Sequence, residues 1–144
     1  MKCLICESPL KFKKFDIKEY NFWKVRLHKN QYYLGRCMVS LRRHLEDLFD
    51  INEEEKMELF EIVKNLRTGL KKSFNPNLFN YSSLGNITRH VHLHLIPRYK
   101  KEKVFSGIKF KDERWGENPS PYNKNFKIPL QAYKEILETI KNNL

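Results

Sequence analysis

Residues 90–98 read His-Val-His-Leu-His-Leu-Ile-Pro-Arg, and histidine alternating with Val and Leu has the two-residue period of a half-buried strand. Such a strand turns its apolar side chains to a core and its polar ones to the opposite face, so His90, His92 and His94 are expected on one face. Alternate residues of a strand stand about 6.5–7 Å apart, near enough for the three imidazoles to surround one phosphorus atom or one metal ion. The chain has only five histidines, and three of them fall here. A face made polar for solubility alone would carry lysine or threonine instead. Two chemistries stay open on the residues themselves. A His-x-His chelate with a third ligand builds an open catalytic zinc site. A neutral imidazole is also a nucleophile near pH 7 that attacks phosphorus and leaves again, which suits two-step nucleotidyl transfer.

The rest of the chain frames this strand. At 144 residues it is long enough for one domain with a real core, and no apolar run approaches the ~20 residues of a membrane span. It opens Met-Lys-Cys-Leu-Ile-Cys without an apolar signal region, so the cytoplasm is the expected location. A net charge of +11 favours polyanionic ligands, either a nucleotide polyphosphate or, as a less favoured partner, nucleic acid. Three cysteines without a secretory signal argue against a disulfide framework, and Cys3-x-x-Cys6 reads as a redox dithiol or half of a zinc site needing ligands from elsewhere.

Residues 11–20 read only as a weak strand or loop, whereas 22–27 and 35–41 alternate as strands, with Cys37 and Val39 opposite Met38. Asn52 and Glu55 have capping-box spacing and open a helix with a stripe of Leu59, Phe60, Val63, Leu66 and Leu70, which Asn75-Pro76 ends. A short strand over 77–81 leads into the polar turn 82–86, where Gly85 is either a plain hairpin residue or a backbone cradle for an anion. Periodicity fails after Arg98 until Pro129, which suits the first turn of a last helix with a stripe of Leu130, Tyr133, Leu137 and Ile140. Trp115 reads as an anchor for the intervening tail.

His-Val-His-Leu-His-Leu-Ile resembles the His-φ-His-φ-His-φ-φ signature (φ apolar) of the histidine triad superfamily of nucleotide hydrolases and transferases, matching at all seven positions. Pro97-Arg98 follows as in its dinucleoside polyphosphate hydrolases, and residues 30–36 and 43–48 extend the likeness. The resemblance implies an α+β fold, an antiparallel sheet with two main helices, paired into a homodimer with the sheets side by side. It implies one domain over 1–144, with a zinc-binding N-terminus over 1–10 and a C-terminal tail and helix over 100–144. It makes His92 the nucleophile at the α-phosphorus of a dinucleoside polyphosphate or other adenylylated compound, and His94 the partner of the phosphate or leaving oxygen.

Nucleotide contacts are implied at His28, Asn30, Asn80, Gly85, Asn86, His94 and Arg98. His28 stands where the family commonly has Asn, with Asn30 the nearest amide, and Asn86 replaces a Gln. By the same resemblance Cys3, Cys6, His44 and His90 form a closed, structural zinc site, and no organic cofactor is expected. The related uridylyltransferases carry Gln where His94 stands, which favours hydrolysis. The competing expectations are a phosphorylase or transferase using the same intermediate, a nucleotide-binding regulator with little turnover, and a deadenylating role on nucleic acid.

Overall fold

The computed structural model describes residues 2–7 and 10–144; Met1, Ser8 and Pro9, part of the expected zinc-binding segment, lie outside the described residues. A 3-10 turn over Leu10–Phe15 precedes β1 (Asp16–Glu19), where the sequence promised only a weak strand or loop. β2 (Trp23–Leu27) and β3 (Cys37–Leu41) follow, then α1 (Glu53–Phe74), β4 (Leu78–Ser82) and β5 (His92–Arg98). A small hairpin, β6 (Lys103–Phe105) and β7 (Ile108–Phe110), precedes the tail and α2 (Leu130–Asn142). The main sheet is antiparallel, in the order β1-β2-β3-β5-β4, which is the expected α+β architecture.

Register decides what each face of the sheet carries. Val25 lies opposite Val39, and Val39 opposite Leu93, on the face that the helices cover. Lys24 lies opposite Ser40, Ser40 opposite His92, and Met38 opposite both Arg26 and His94, on the other face. One face is thus core and the other is polar. Because side chains alternate strictly, a slip of one residue would exchange the two.

Both halves of the predicted capping box at the start of α1 are present, with Asn52 Oδ1 accepting from Glu55 N at 2.8 Å and Asn52 N donating to Glu55 at 3.2 Å. The stripe expected on α1 needs one correction: Phe60 is 71% exposed, and Ile62, at the right helical angle, is buried in its place. In α2 the core positions are Ala132, Ile136, Leu137 and Ile140, while Leu130 is 48% exposed and Pro129 is the N-cap. Gly69 lets the chain's end approach α1, since a Cβ there would meet Asn143 O at 3.0 Å. No helix among the described residues is long and apolar enough to cross a membrane.

Candidate functional site

The three motif histidines lie close together but do not converge on one point. β5 begins at His92, two residues later than the alternation suggests, because Val91 N turns to Leu45 O at 2.7 Å while its carbonyl accepts from Leu41 N. His90 is buried just ahead of the strand, its Nε2 donating to Leu41 O at 2.7 Å. That bond leaves Nδ1 unprotonated and aimed at the N-terminal turn, where Cys3 Sγ and Cys6 Sγ each lie 3.4 Å away. His44 Nδ1 is 3.5 Å from Cys6 Sγ, and the four ligand atoms all lie within 4.8 Å of one another.

Those spacings fit a metal. For zinc bond lengths of about 2.3 Å to sulfur and 2.0 Å to nitrogen, a tetrahedral S···N edge is about 3.5 Å. The donor set is soft and closed, and the Leu41 carbonyl fixes the His90 tautomer as an outer partner should. Cys6 N also donates to Cys3 Sγ at 3.5 Å, as backbone does around a thiolate. Burial and the neighbouring Cys3 push the Cys6 thiol pKa up, a penalty that a bound cation would reverse. Cys3, Cys6, His44 and His90 can therefore hold a metal ion, and His90, His92 and His94 are not brought together as one.

His44 is held in place from α1. Arg43 next to it reaches back to the buried Glu55 carboxylate with a fork of 2.6 and 3.1 Å. That hydrogen bond holds the Glu55 carboxyl below its ordinary pKa.

His92 is not among the residues gathered at the two sulfurs. Its Nδ1 lies 2.6 Å from His90 O, a bond only an N–H can make, so the Nε2 lone pair is the free one. The ring lines a cavity of about 460 Å³ over the polar face, with His28, Lys24, Arg26, Met38 and Ser40 among its walls and Cys6 at its rim. Cationic Lys24 and Arg26 suit an anionic guest, although Asp16 engages each of them, at 2.9 and 2.7 Å.

His94 stacks edge-on to His92 at 5.1 Å and to His28 at 5.6 Å between ring centroids. Burial, with Arg36 beside it, holds the His94 pKa down at about 3, and the same causes hold His28 at about 4. Both rings are neutral at pH 7. Arg36, buried at the foot of β3, sets its Nη2 3.3 Å from His94 Nδ1. Arg36 stands outside the histidine motif; its signal in the sequence is an arginine directly after Gly35, at the head of a strand whose other polar residue is Ser40.

The other predicted contacts divide. Of the two candidates for the loop after β2, His28 lines the cavity, while Asn30 is buried in the chain's own bonding. Its amide donates to Asn123 O and Lys124 O, and its oxygen accepts from Tyr32 N. Gln31, fully buried, ties the loop by donating to His28 O at 2.7 Å and Arg36 O at 3.0 Å. Asn80 and Arg98 sit in a structural knot: Arg98 bonds Asp112 twice, Asn80 Oδ1, Glu117 O and Arg114 O, which uses all its donors to fasten the tail. The guanidinium has nothing left to offer a nucleotide. Gly85, at φ +67, and exposed Asn86 line a separate hollow with Arg89 and His90. Half-buried Trp115 lies under Lys100, on the tail.

Fold and site together define an α+β protein whose antiparallel sheet presents His92 to a cavity that His28 also lines, beside a Cys₂His₂ cluster. The chain belongs to the HIT domain family, whose model matches residues 17–101. It is 28% identical over 113 residues to an uncharacterized HIT-like protein of Mycoplasma genitalium, 75% of this chain and 71% of that one. It is 25% identical over 122 residues to a bis(5'-adenosyl)-triphosphatase of Saccharomyces cerevisiae, covering 77% of this chain and 59% of the yeast protein. The chain thus spans less than two thirds of that enzyme's length. A histidine triad protein of Sinorhizobium meliloti superposes with TM-score 0.76 at 19% identity, over 94% of this chain and 95% of that one. A zinc-bound histidine triad family protein of Mycobacterium smegmatis does so with TM-score 0.55 at 16% identity, over 89% and 86%.

Proposed function

We propose that this protein is a nucleotide hydrolase that cleaves at the α-phosphate of a dinucleoside polyphosphate or another adenylylated compound. The carrying observation is the 2.6 Å contact of His92 Nδ1 with His90 O, which leaves Nε2 as the lone pair available to the cavity. In the first step Nε2 forms a bond to the α-phosphorus, the bond from phosphorus to the leaving group breaks, and its electron pair departs with that group. In the second, water attacks the nucleotidyl-imidazole, the P–N pair returns to His92, and nucleoside monophosphate is released. His28 in the cavity wall takes the ribose, and His94 hydrogen-bonds the phosphate or leaving oxygen. The yeast relative acts on such a compound by its name, which supports the substrate class.

The same reading makes Cys3, Cys6, His44 and His90 a structural zinc site. The metal would tie the N-terminal turn to the segment that carries the nucleophile. It also makes the protein a homodimer through β4, a sheet edge with Leu78 half-exposed and Tyr81 48% exposed beside an apolar hollow walled by Phe60, Val63 and Leu93. Sedimentation decides the second point: Tyr81→Asp is expected to convert a dimer to a monomer, and a monomeric wild type sinks it.

The hydrolase reading is tested by release of adenosine monophosphate from diadenosine triphosphate, adenylyl sulfate and adenosine 5'-phosphoramidate, with and without brief chelation. Wild type is expected to turn over at least one, and His92→Ala to lose about 10⁴-fold or more while still binding nucleotide. Binding without turnover, or turnover indifferent to His92, would overturn it.

A further inference from the structure

Arg36 carries a positive charge into the protein without a counter-charge among the described residues. It is 7% exposed, its guanidinium lies 5.0 Å over the Tyr122 ring, and no carboxylate among the described residues pairs with it. Among the described residues its buried Nε and Nη1 have no hydrogen-bond partner, and of its nitrogens Nη2 alone is engaged, at 3.3 Å from His94 Nδ1. A guanidinium has five donors and no acceptor, so His94 Nδ1 must be the acceptor in this pair. The single proton of the neutral ring is therefore on Nε2, and a second proton has no place to go, since it would point at a cation.

An imidazole in that state donates a hydrogen bond but is not an acid of useful strength. Leaving groups differ in what they need from it. When a phosphoanhydride breaks, the P–O electron pair leaves on a phosphate oxygen that is stable as an anion, and no proton need be transferred. When a P–N bond breaks, the nitrogen must acquire a proton to depart as an amine, and a general acid has to supply it. Taking the nucleotidyl-histidine reading above as the basis, we infer that Arg36 is a positioning residue that restricts this site to leaving groups departing as oxyanions. The substrate class is nucleotidyl anhydrides with phosphate or sulfate on the far side, not nucleoside phosphoramidates. Arg36 serves it twice, by fixing His94 as an Nε2–H donor and by placing an unneutralised charge behind the point where negative charge develops. The groups facing His94 are His28, His92 and Arg36, none of them acidic.

The test compares kcat and KM on diadenosine triphosphate and adenosine 5'-phosphoramidate for the full chain and for Arg36→Gln, Arg36→Lys and His92→Ala. Wild type is expected to prefer the anhydride. Arg36→Gln should lower kcat on the anhydride about 100-fold with KM little changed. It should also raise the relative rate on the phosphoramidate about tenfold, that rate now climbing toward acid pH. Arg36→Lys, which keeps the charge, should restore part of the preference. In ¹⁵N spectra of the ring nitrogens, His94 should be the Nε2–H tautomer at pH 6 in wild type, and in Arg36→Gln its protonation should begin at higher pH than in wild type, burial still holding it down. Equal use of the two substrates by wild type, an unchanged ratio in folded Arg36→Gln, or a wild-type His94 imidazolium at pH 6 overturns the inference alone. Full activity in His92→Ala overturns the nucleotidyl-histidine reading instead, and turnover of neither substrate by wild type overturns both.

Discussion

His90 and His94 each stand two residues from His92 in one short segment, and the surroundings of the two rings are opposite. His90 donates from Nε2 to a carbonyl and turns a bare Nδ1 toward two thiols. His94 has its Nδ1 lone pair taken by a guanidinium and keeps a proton to offer. Between them His92 gives its Nδ1 proton to His90 O and keeps the Nε2 lone pair. The residue type is constant, so the neighbours decide which ring nitrogen keeps its lone pair: Nδ1 toward the two sulfurs in His90, Nε2 in His92, and in His94 Nδ1 again, there taken by a cation. Each end of the motif can then be perturbed while the other is watched.

The largest effect is expected at the sulfur end. Exhaustive chelation, or Cys6→Ser, should remove one zinc per chain and lower stability by about 3 kcal/mol, a fall in Tm on the order of 6–12 °C for a chain of this size. Arg36→Gln should leave the metal content at one per chain. Metal analysis with thermal melts checks both, and a metal-free wild type as stable as the loaded one would remove the distinction between the two ends.

Much of this division could be read in the residues, and the unread part has a common cause. Alternation located β5, β2 and β3, the capping box located the start of α1, and the Cys-x-x-Cys turn lies against His44 and His90 as the family likeness implied. These signals are local, or rest on residue types few enough that partners are nearly determined. What the residues alone do not carry is long-range bonding. Asn30 and Arg98 look like free polar groups in a list of letters, but the tail returns 93 residues after Asn30 and 14 after Arg98 to occupy them. Phe60 misled because a 22-residue helix exposes several apolar angles, and only the position of the sheet selects among them. Arg36 was invisible as a site residue for the same reason, since its effect depends on His94, 58 residues on.

A middle-sized effect belongs to the cation end. His28 and His94 stay neutral when folded, at about 4 and 3, whereas in the unfolded chain both take protons near the ordinary histidine value of about 6.5. Between those values the unfolded state holds more protons, so stability rises with pH. It is full above about pH 6.5 and is lost as pH falls through about 4 for His28 and about 3 for His94, with a slope up to about 1.4 kcal/mol per pH unit for each ring. Denaturant unfolding of chelated protein across pH 4–7 isolates this from metal release. His28→Asn should reduce the slope by about one proton, and an unchanged slope would mean that the burial ascribed to His28 is wrong.

The smallest effect sharpens the sulfur end from a distance. Glu55 joins the helix N-terminus, through Arg43, to the segment of His44, one of the four residues that can hold a metal ion, and it also closes the capping box. Glu55→Gln keeps an acceptor for Asn52 N but gives up the charged fork, so folding stability should fall by only about 1 kcal/mol. His44 would lose its brace, and zinc affinity, measured by competition with a chelator, should drop about tenfold as it does for other outer-shell changes. The sign with pH follows from the carboxyl's depressed pKa. The fork's contribution is present above the unfolded carboxylate value of about 4.3 and disappears as pH falls through the lower folded value, so Glu55→Gln should resemble wild type most closely in acid. If the affinity of Glu55→Gln matches wild type at neutral pH, His44 is held by the metal and its own loop, and the helix plays no part in building that end of the motif.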